Sequence, residues 1–151
     1  MRRLLIILSI LLLSLSLNGC LTVESKEYRI KLKSDHSGEA VIKFVNIMSE
    51  ADDTVDISND DFQQLMEFYI QGNQLENENP GFHSVKKRLF EENDVLCGEI
   101  TFSFDSLAAV RIFKYDGDSP FMYAVGSPLS SEQYVESNGL LAREWMPVVL
   151  W

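Results

Sequence analysis

The segment Asp52 to Glu67 is rich in side-chain oxygens and tempts a calcium reading. Laid on an EF-hand loop, Asp56, Ser58, Asp60 and Glu67 take positions 1, 3, 5 and 12. That loop also needs a glycine at position 6, where this chain has Asp61. No apolar residue follows at Gln63 or Gln64. The same residues make a coherent helix start. Ser58 is a cap, Asp61 stands at the third helical position as in a capping box, and Ile57 and Phe62 fall at the staple positions. Capping is therefore expected here, and no metal. Glu91-Glu92 are adjacent acids at a hairpin turn, whereas general acid–base work needs two carboxylates held across a cleft with their pKa values split. His36 and His83 lack ligand partners at the short paired spacings zinc uses. There is no Gly-x-Ser-x-Gly elbow and no glycine-rich phosphate loop. The chain reads as noncatalytic, with no cofactor and no metal.

The basic residues are few, 13 Lys and Arg against 23 Asp and Glu. Arg29, Lys31 and Lys33 lie on the outer face of one expected strand, and Lys86 and Arg88 on that of another. Were those strands neighbours, the five would form a basic stripe for an anionic ligand, such as a phospholipid head group or an acidic glycan. The plainer expectation is cross-strand pairing with Glu39 and Glu99. A net charge of −10 excludes the broad basic footprint that nucleic acid requires.

Two cysteines divide the chain differently. Arg2 and Arg3 precede Leu4 to Leu17, an aliphatic run broken by three serines and shorter than the roughly 20 residues of a spanning helix. A basic start and an apolar run of this kind mark a secretory signal. The run ends in Leu17-Asn18-Gly19-Cys20, which resembles a bacterial lipobox, the site cut by lipoprotein signal peptidase. The resemblance implies a diacylglyceryl group on the Cys20 sulfur, cleavage before Cys20, and acylation of the new amine. Two or three acyl chains hold a protein stably where one does not. Leu21, rather than Asp, then favours the outer membrane in a Gram-negative cell, and otherwise the outer face of the cytoplasmic membrane.

Removing residues 1–19 from 151 leaves 132, and taking two arginines from a net charge of −10 leaves −12. That is enough chain for one domain with a core, too acidic to lie flat on anionic lipid. With Cys20 blocked, Cys97 stands alone, either as a small buried apolar residue or, sharing an outer strand face with Glu99, as a partly exposed thiol.

These residues must be positioned by an α+β fold. Residues 1–19 are the leader, 20–25 a tether, and 26–151 one domain. Tyr28, Ile30 and Leu32 alternate with Arg29, Lys31 and Lys33 in a strand over Glu27–Lys33, and a turn at Ser34–Gly38 leads to a second strand, Ala40–Ile47. A helix follows over about 58–71, with Phe62, Leu65, Met66 and Tyr69 as its apolar stripe and Gly72 as its stop. Asn73–Gly81 reads as a polar loop. His83–Glu91 and Val95–Phe104 form a hairpin whose turn, Asn93-Asp94, sets Arg88 opposite Glu99, Lys86 opposite Thr101 and Phe90 opposite Cys97. Asp105 caps a helical turn to Ala109. Val110–Tyr115 and Phe121–Val125 make a further hairpin, Gly126-Ser127-Pro128 is loop, and Ser130–Leu141 is polar without a clear pattern. Trp145–Trp151 is a last strand that docks on a sheet edge or marks a truncated sequence. An antiparallel sheet of hairpins with the one main helix across one face is the expected architecture.

Cys20, the short tether, Tyr28-x-Ile30-x-Leu32 and the Ser37-Gly38 turn together resemble small bacterial lipoprotein domains of the LppM-like type. That implies an extracytoplasmic domain touching lipids or glycolipids. The expected function is an envelope-anchored lipoprotein, a noncatalytic binding or protein-interaction module. Its alternative is a carrier or sensor of a lipid or other apolar ligand, in a helix–sheet pocket lined by Phe44, Phe62, Tyr69, Phe102 and Phe104. An exposed apolar patch over a filled core favours the module, and a large apolar cavity favours the carrier.

Overall fold

The computed structural model describes residues 21–49, 58–124, 133–141 and 148–150. The leader, Leu17 to Cys20, Asp52, Asp56, Ile57, Gly126 to Pro128 and Trp151 lie outside the described residues. The fold is mostly antiparallel sheet with one main helix, as an α+β protein should be. Among the described residues there are eight strands: β1 (Leu21–Leu32), β2 (Gly38–Ser49), β3 (His83–Glu92), β4 (Val95–Phe104), β5 (Ile112–Phe113), β6 (Phe121–Tyr123), β7 (Leu140–Leu141) and β8 (Val148–Leu150). They make two four-stranded sheets, ordered β1-β2-β4-β3 and β5-β6-β8-β7. The main helix is α1 (Ser58–Gln64), which continues as a π-helical segment (Leu65–Ile70), and α2 (Gln74–Glu78) follows. The chain divides into two compact units. Among the described residues, the first draws on 21–27, 43–49, 58–75 and 87–99, the second on 28–42, 76–86, 100–124, 133–141 and 148–150.

Both long hairpins follow from local turn chemistry. Between β1 and β2, the Lys33 N–H donates to the Ser37 carbonyl at 2.8 Å and the His36 N–H to the Lys33 carbonyl at 3.0 Å. Asp35 Oδ1 accepts from the Ser37 N–H at 3.0 Å and from Ser37 Oγ at 2.7 Å, an Asx turn. Those two hydrogen bonds from Ser37 hold the Asp35 carboxyl below its ordinary pKa. Between β3 and β4, Asn93 and Asp94 both adopt left-handed backbone, at φ 54° and 64°. That is a two-residue type I′ turn, whose twist matches that of the strands it joins. The register it sets is visible in Arg88 Nε, which donates to Glu99 Oε1 at 2.8 Å.

In the first unit, α1 and the π segment are tied to the sheet at both ends. Asp61, only 2% exposed, accepts a hydrogen bond from Ser49 Oγ at the end of β2. Lys87 Nζ on β3 donates to the Gly72 carbonyl at 2.7 Å, just beyond the π segment. Ser49 shares strand parity with buried Ile47, and Lys87 shares it with Leu89. A Cβ on Gly98 would lie 3.1 Å from Ile47 Cδ1 and 3.4 Å from Leu89 Cδ2, so all three crowd one face of β4. Phase along β2 changes at Asn46, whose φ of 55° marks a bulge within the strand. Before it the even residues Gly38 and Ala40 are buried, and after it the odd residue Ile47 is.

In the second unit the core is Ala40, Ile100, Phe102, Phe104, Val110, Ile112 and Val148. Phe82 stacks on Phe102 with ring centroids 3.6 Å apart. Gly38 is required here, because a Cβ would fall 2.1 Å from the Lys31 carbonyl oxygen and 2.6 Å from Phe104 Cζ.

Several expectations need correction. β1 begins at Leu21, within the stretch expected to be a tether. The expected single helix changes register after Gln64, so Met66, assigned to the buried stripe, is 38% exposed. Asp61 is buried and bonded to Ser49, where the capping box placed it on the solvated first turn. The loop Asn73–Gly81 contains α2. The turn after β4 is a 3₁₀ helix over Leu107–Val110, with Ser106 rather than Asp105 at its N-cap position. β8 does not add to an edge; it lies between β6 and β7. Of the two readings of Cys97 the buried one holds: it is 1% exposed on β4, a central strand.

Candidate interaction surface

In the small sheet the registers Phe113↔Met122, Met122↔Val149 and Val149↔Leu140 align four apolar residues in one row. Directly opposed residues project from the same sheet face. The neighbouring row is Ile112↔Tyr123↔Val148, on the other face. That face is the inner one, since Ile112 and Val148 are each 2% exposed. The outer row is half-buried at Met122 and Val149 and opens at its two ends, with Phe113 at 39% and Leu140 at 58% exposure. Three strand spacings make it roughly 14 Å wide. A half-solvated antiparallel sheet ordinarily turns polar side chains outward. Here all four outward positions are apolar, and contiguous exposed apolar surface of this kind marks contact sites.

The inner face carries aromatic contacts within the same unit. Tyr28 packs on Tyr123 at 5.8 Å, and the His36 ring meets Phe121 edge-on at 5.6 Å. Lys114 Nζ lies 5.2 Å from the Phe121 ring centroid and donates to the Gly117 carbonyl at 2.7 Å. The loop that joins β5 to β6 spends its polar groups on itself. Asp116 Oδ1 accepts from the Asp118 and Ser119 N–H groups at 3.0 and 2.7 Å, and Ser119 Oγ accepts from the Tyr115 and Asp116 N–H groups, both at 2.9 Å. The loop is thereby fixed, and with it the register of Phe113 against Met122.

The basic residues are exposed but not gathered. Arg29 and Lys31 lie on β1, Lys33 follows it, and Lys86 and Arg88 lie on β3. β1 and β3 form opposite edges of the sheet, separated by β2 and β4. The adjacency on which a basic stripe depended is therefore absent. Arg88 pairs with Glu99 at 2.8 Å, as the cross-strand expectation required. Beside them Lys43 pairs with Glu92 at 2.8 Å, and the Phe90 ring lies 4.6 Å from the Arg88 guanidinium and 6.0 Å from Lys43 Nζ. The hydrogen bond to Glu92 raises the Lys43 pKa, with the Glu92 charge adding to it. One of the adjacent turn acids, Glu92, is thus used as an ion-pair partner.

Ser103, His83 and Asp105 also come together, at the exposed end of the β3–β4 pair. His83 Nε2 lies 3.2 Å from Asp105 Oδ2, and Ser103 Oγ donates to the His83 carbonyl at 3.3 Å. The hydroxyl is thus bonded to the main chain and not to the imidazole, which a base-activated nucleophile would need. Among the described residues no group of three His, Cys, Asp or Glu side chains could hold a metal. Of the residues expected to line an apolar pocket, Phe44, Phe62 and Tyr69 belong to the first unit, and Phe102 and Phe104 to the second.

Sequence reasoning missed Phe113, Met122, Leu140 and Val149 as a set. The available signal was Val148-Val149-Leu150, an unbroken apolar run that makes both faces of one strand apolar. No protein-family model matches the chain, and no curated protein or solved structure is a match for it.

Proposed function

We propose that this chain is an envelope-anchored lipoprotein, held by lipid on Cys20, whose folded part is a noncatalytic binding or interaction module. The apolar row Phe113, Met122, Val149 and Leu140 is the observation that carries the module reading. It is backed by a filled inner face and by a loop whose polar groups are already paired, so the row is rigid and presented. The lipobox residues Leu17, Asn18, Gly19 and Cys20 support the anchor. The membrane is then a partner through the acyl chains, and the row contacts an envelope protein or an apolar ligand. The strongly acidic surface keeps the module off anionic lipid and nucleic acid.

Intact mass spectrometry of the native chain beside Cys20→Ser tests the anchor. Loss of residues 1–19 and an added lipid mass that disappears in the variant are expected. A native chain that keeps Met1 or carries no lipid sinks the anchor. The row is tested by a photo-crosslinking side chain at position 140 in intact cells, with position 31 as the control. Discrete adducts from position 140 alone are expected, and these should vanish when Phe113→Ser is added. Equal adducts from both positions would remove the row from the proposal.

A further inference from the structure

We infer that Lys87 is a latch that holds residues 65–70 in the π register, and that its release returns them to the α register and withdraws Met66 from solvent. The Gln71 N–H donates to the Met66 carbonyl at 2.9 Å, an i→i−5 bond. Such a turn holds more residues than an α turn, so it breaks the phase of any stripe entering it. In an unbroken helix from Ser58, Met66 would stand one turn beyond Phe62, on the same face. In the π register Met66 is 38% and Phe68 47% exposed, while Phe62, Leu65 and Tyr69 stay half-buried.

π-helices occur mostly as single turns inside α-helices, often at functional sites. Six residues in that register need something to hold them. Two features at the C-terminal end do so. Gly72 follows so tightly that a Cβ would lie 2.6 Å from the Phe68 carbonyl oxygen and 2.7 Å from that of Glu67. The part-buried Lys87 ammonium then takes the Gly72 carbonyl at 2.7 Å, where the negative end of the helix dipole favours a cation. Winding the segment back to α turns that carbonyl away from the lysine. The latched form thus displays Met66 and Phe68, a polarisable and adaptable apolar pair, and the released form conceals Met66. The device is independent of any lipid on Cys20.

Peroxide oxidation of the full-length chain in detergent, followed peptide by peptide, tests it. Met48 on β2, 41% exposed, is the internal reference. In the native chain Met66 and Met48 should oxidise at similar rates. In Lys87→Gln, Met66 should slow several-fold relative to Met48, and Lys87→Arg, which keeps a donor, should retain the native ratio. Deleting Glu67 removes the additional residue of the π turn and should slow Met66 with the lysine intact. A ratio unchanged in the deletion overturns the two registers. A ratio that falls in the deletion but not in Lys87→Gln overturns the latch.

Discussion

The Ser49–Asp61 pair is the sharpest test of how the main helix is held. Asp61 is the one charged residue type buried among the described residues, at 2% exposure, and Ser49 Oγ is its donor. No buried side-chain N or O among the described residues lacks a partner, so the hydroxyl is part of a satisfied set. Ser49→Ala removes little volume and leaves a buried carboxyl oxygen without that donor. A buried polar group stripped of its partner costs about 1–3 kcal/mol. Against a domain stability of roughly 5–15 kcal/mol this is a large fraction. Asp61→Ala should cost at least as much, since it also opens a small cavity. The decisive quantity is their coupling. If the two act as a unit, Ser49→Ala adds little on top of Asp61→Ala, and a double-mutant cycle returns about 1–3 kcal/mol. Urea titration reads it directly. With a slope of about 1–3 kcal/mol per molar, each single variant should lower the midpoint by roughly 1 M. A coupling below about 0.5 kcal/mol would refute the reasoning, because Asp61 would then owe its burial to packing and not to this bond.

Two further outcomes follow from the same contacts. Lys43 has its pKa raised above 10.5 chiefly by its hydrogen bond to Glu92. A group whose pKa is raised on folding contributes stability that is full below its unfolded pKa and lost as pH rises through the folded one. The urea midpoint should therefore fall as the solution is made more alkaline than Lys43's ordinary value, and Glu92→Gln should flatten that fall; an identical alkaline profile in the variant counts against the pair. At the β3–β4 turn, Asp94 holds φ 64°. Asp94→Gly should raise the midpoint by about 0.5 kcal/mol equivalent and Asp94→Val should lower it by about 1–2 kcal/mol. The opposite order would mean that the turn is not type I′.

The parts legible in the sequence were those decided within a few residues. Asn93-Asp94 named its own turn, and with it the opposition of Arg88 and Glu99, because left-handed backbone suits only a short set of residue types. Ser34–Gly38 did the same for the first hairpin. Strand order was not legible, since it depends on pairing between distant segments, and the basic stripe of Arg29, Lys31, Lys33, Lys86 and Arg88 failed on that point alone. Cys97 is buried, as the plainer of its two readings has it, although strand alternation alone points the other way. Alternation put it beside Glu99 on an outer face, but on a central strand the outer face is also covered, by Lys43 and Phe90 from the strands on either side. The stripe Phe62, Leu65, Met66 and Tyr69 presumed a constant period. Nothing near it in the sequence announces the π segment, whose Gly72 carbonyl is taken by a lysine from β3.

The apolar row follows from a different kind of limit. Each of β5, β6, β7 and β8 is two or three residues long, too short for alternation to separate inside from outside. A register is needed before Phe113, Met122, Val149 and Leu140 can be seen as neighbours. Once it is known, the row's composition becomes informative. The inner row is already filled by Ile112, Tyr123 and Val148, so the fold had no need of apolar residues on the outer side. Polar side chains there would have satisfied the sheet equally well and lowered its tendency to associate. In a chain of net charge −10, four apolar residues aligned on one sheet face, exposed at both ends of the row, are what the proposed interaction module needs and what the sheet itself does not require.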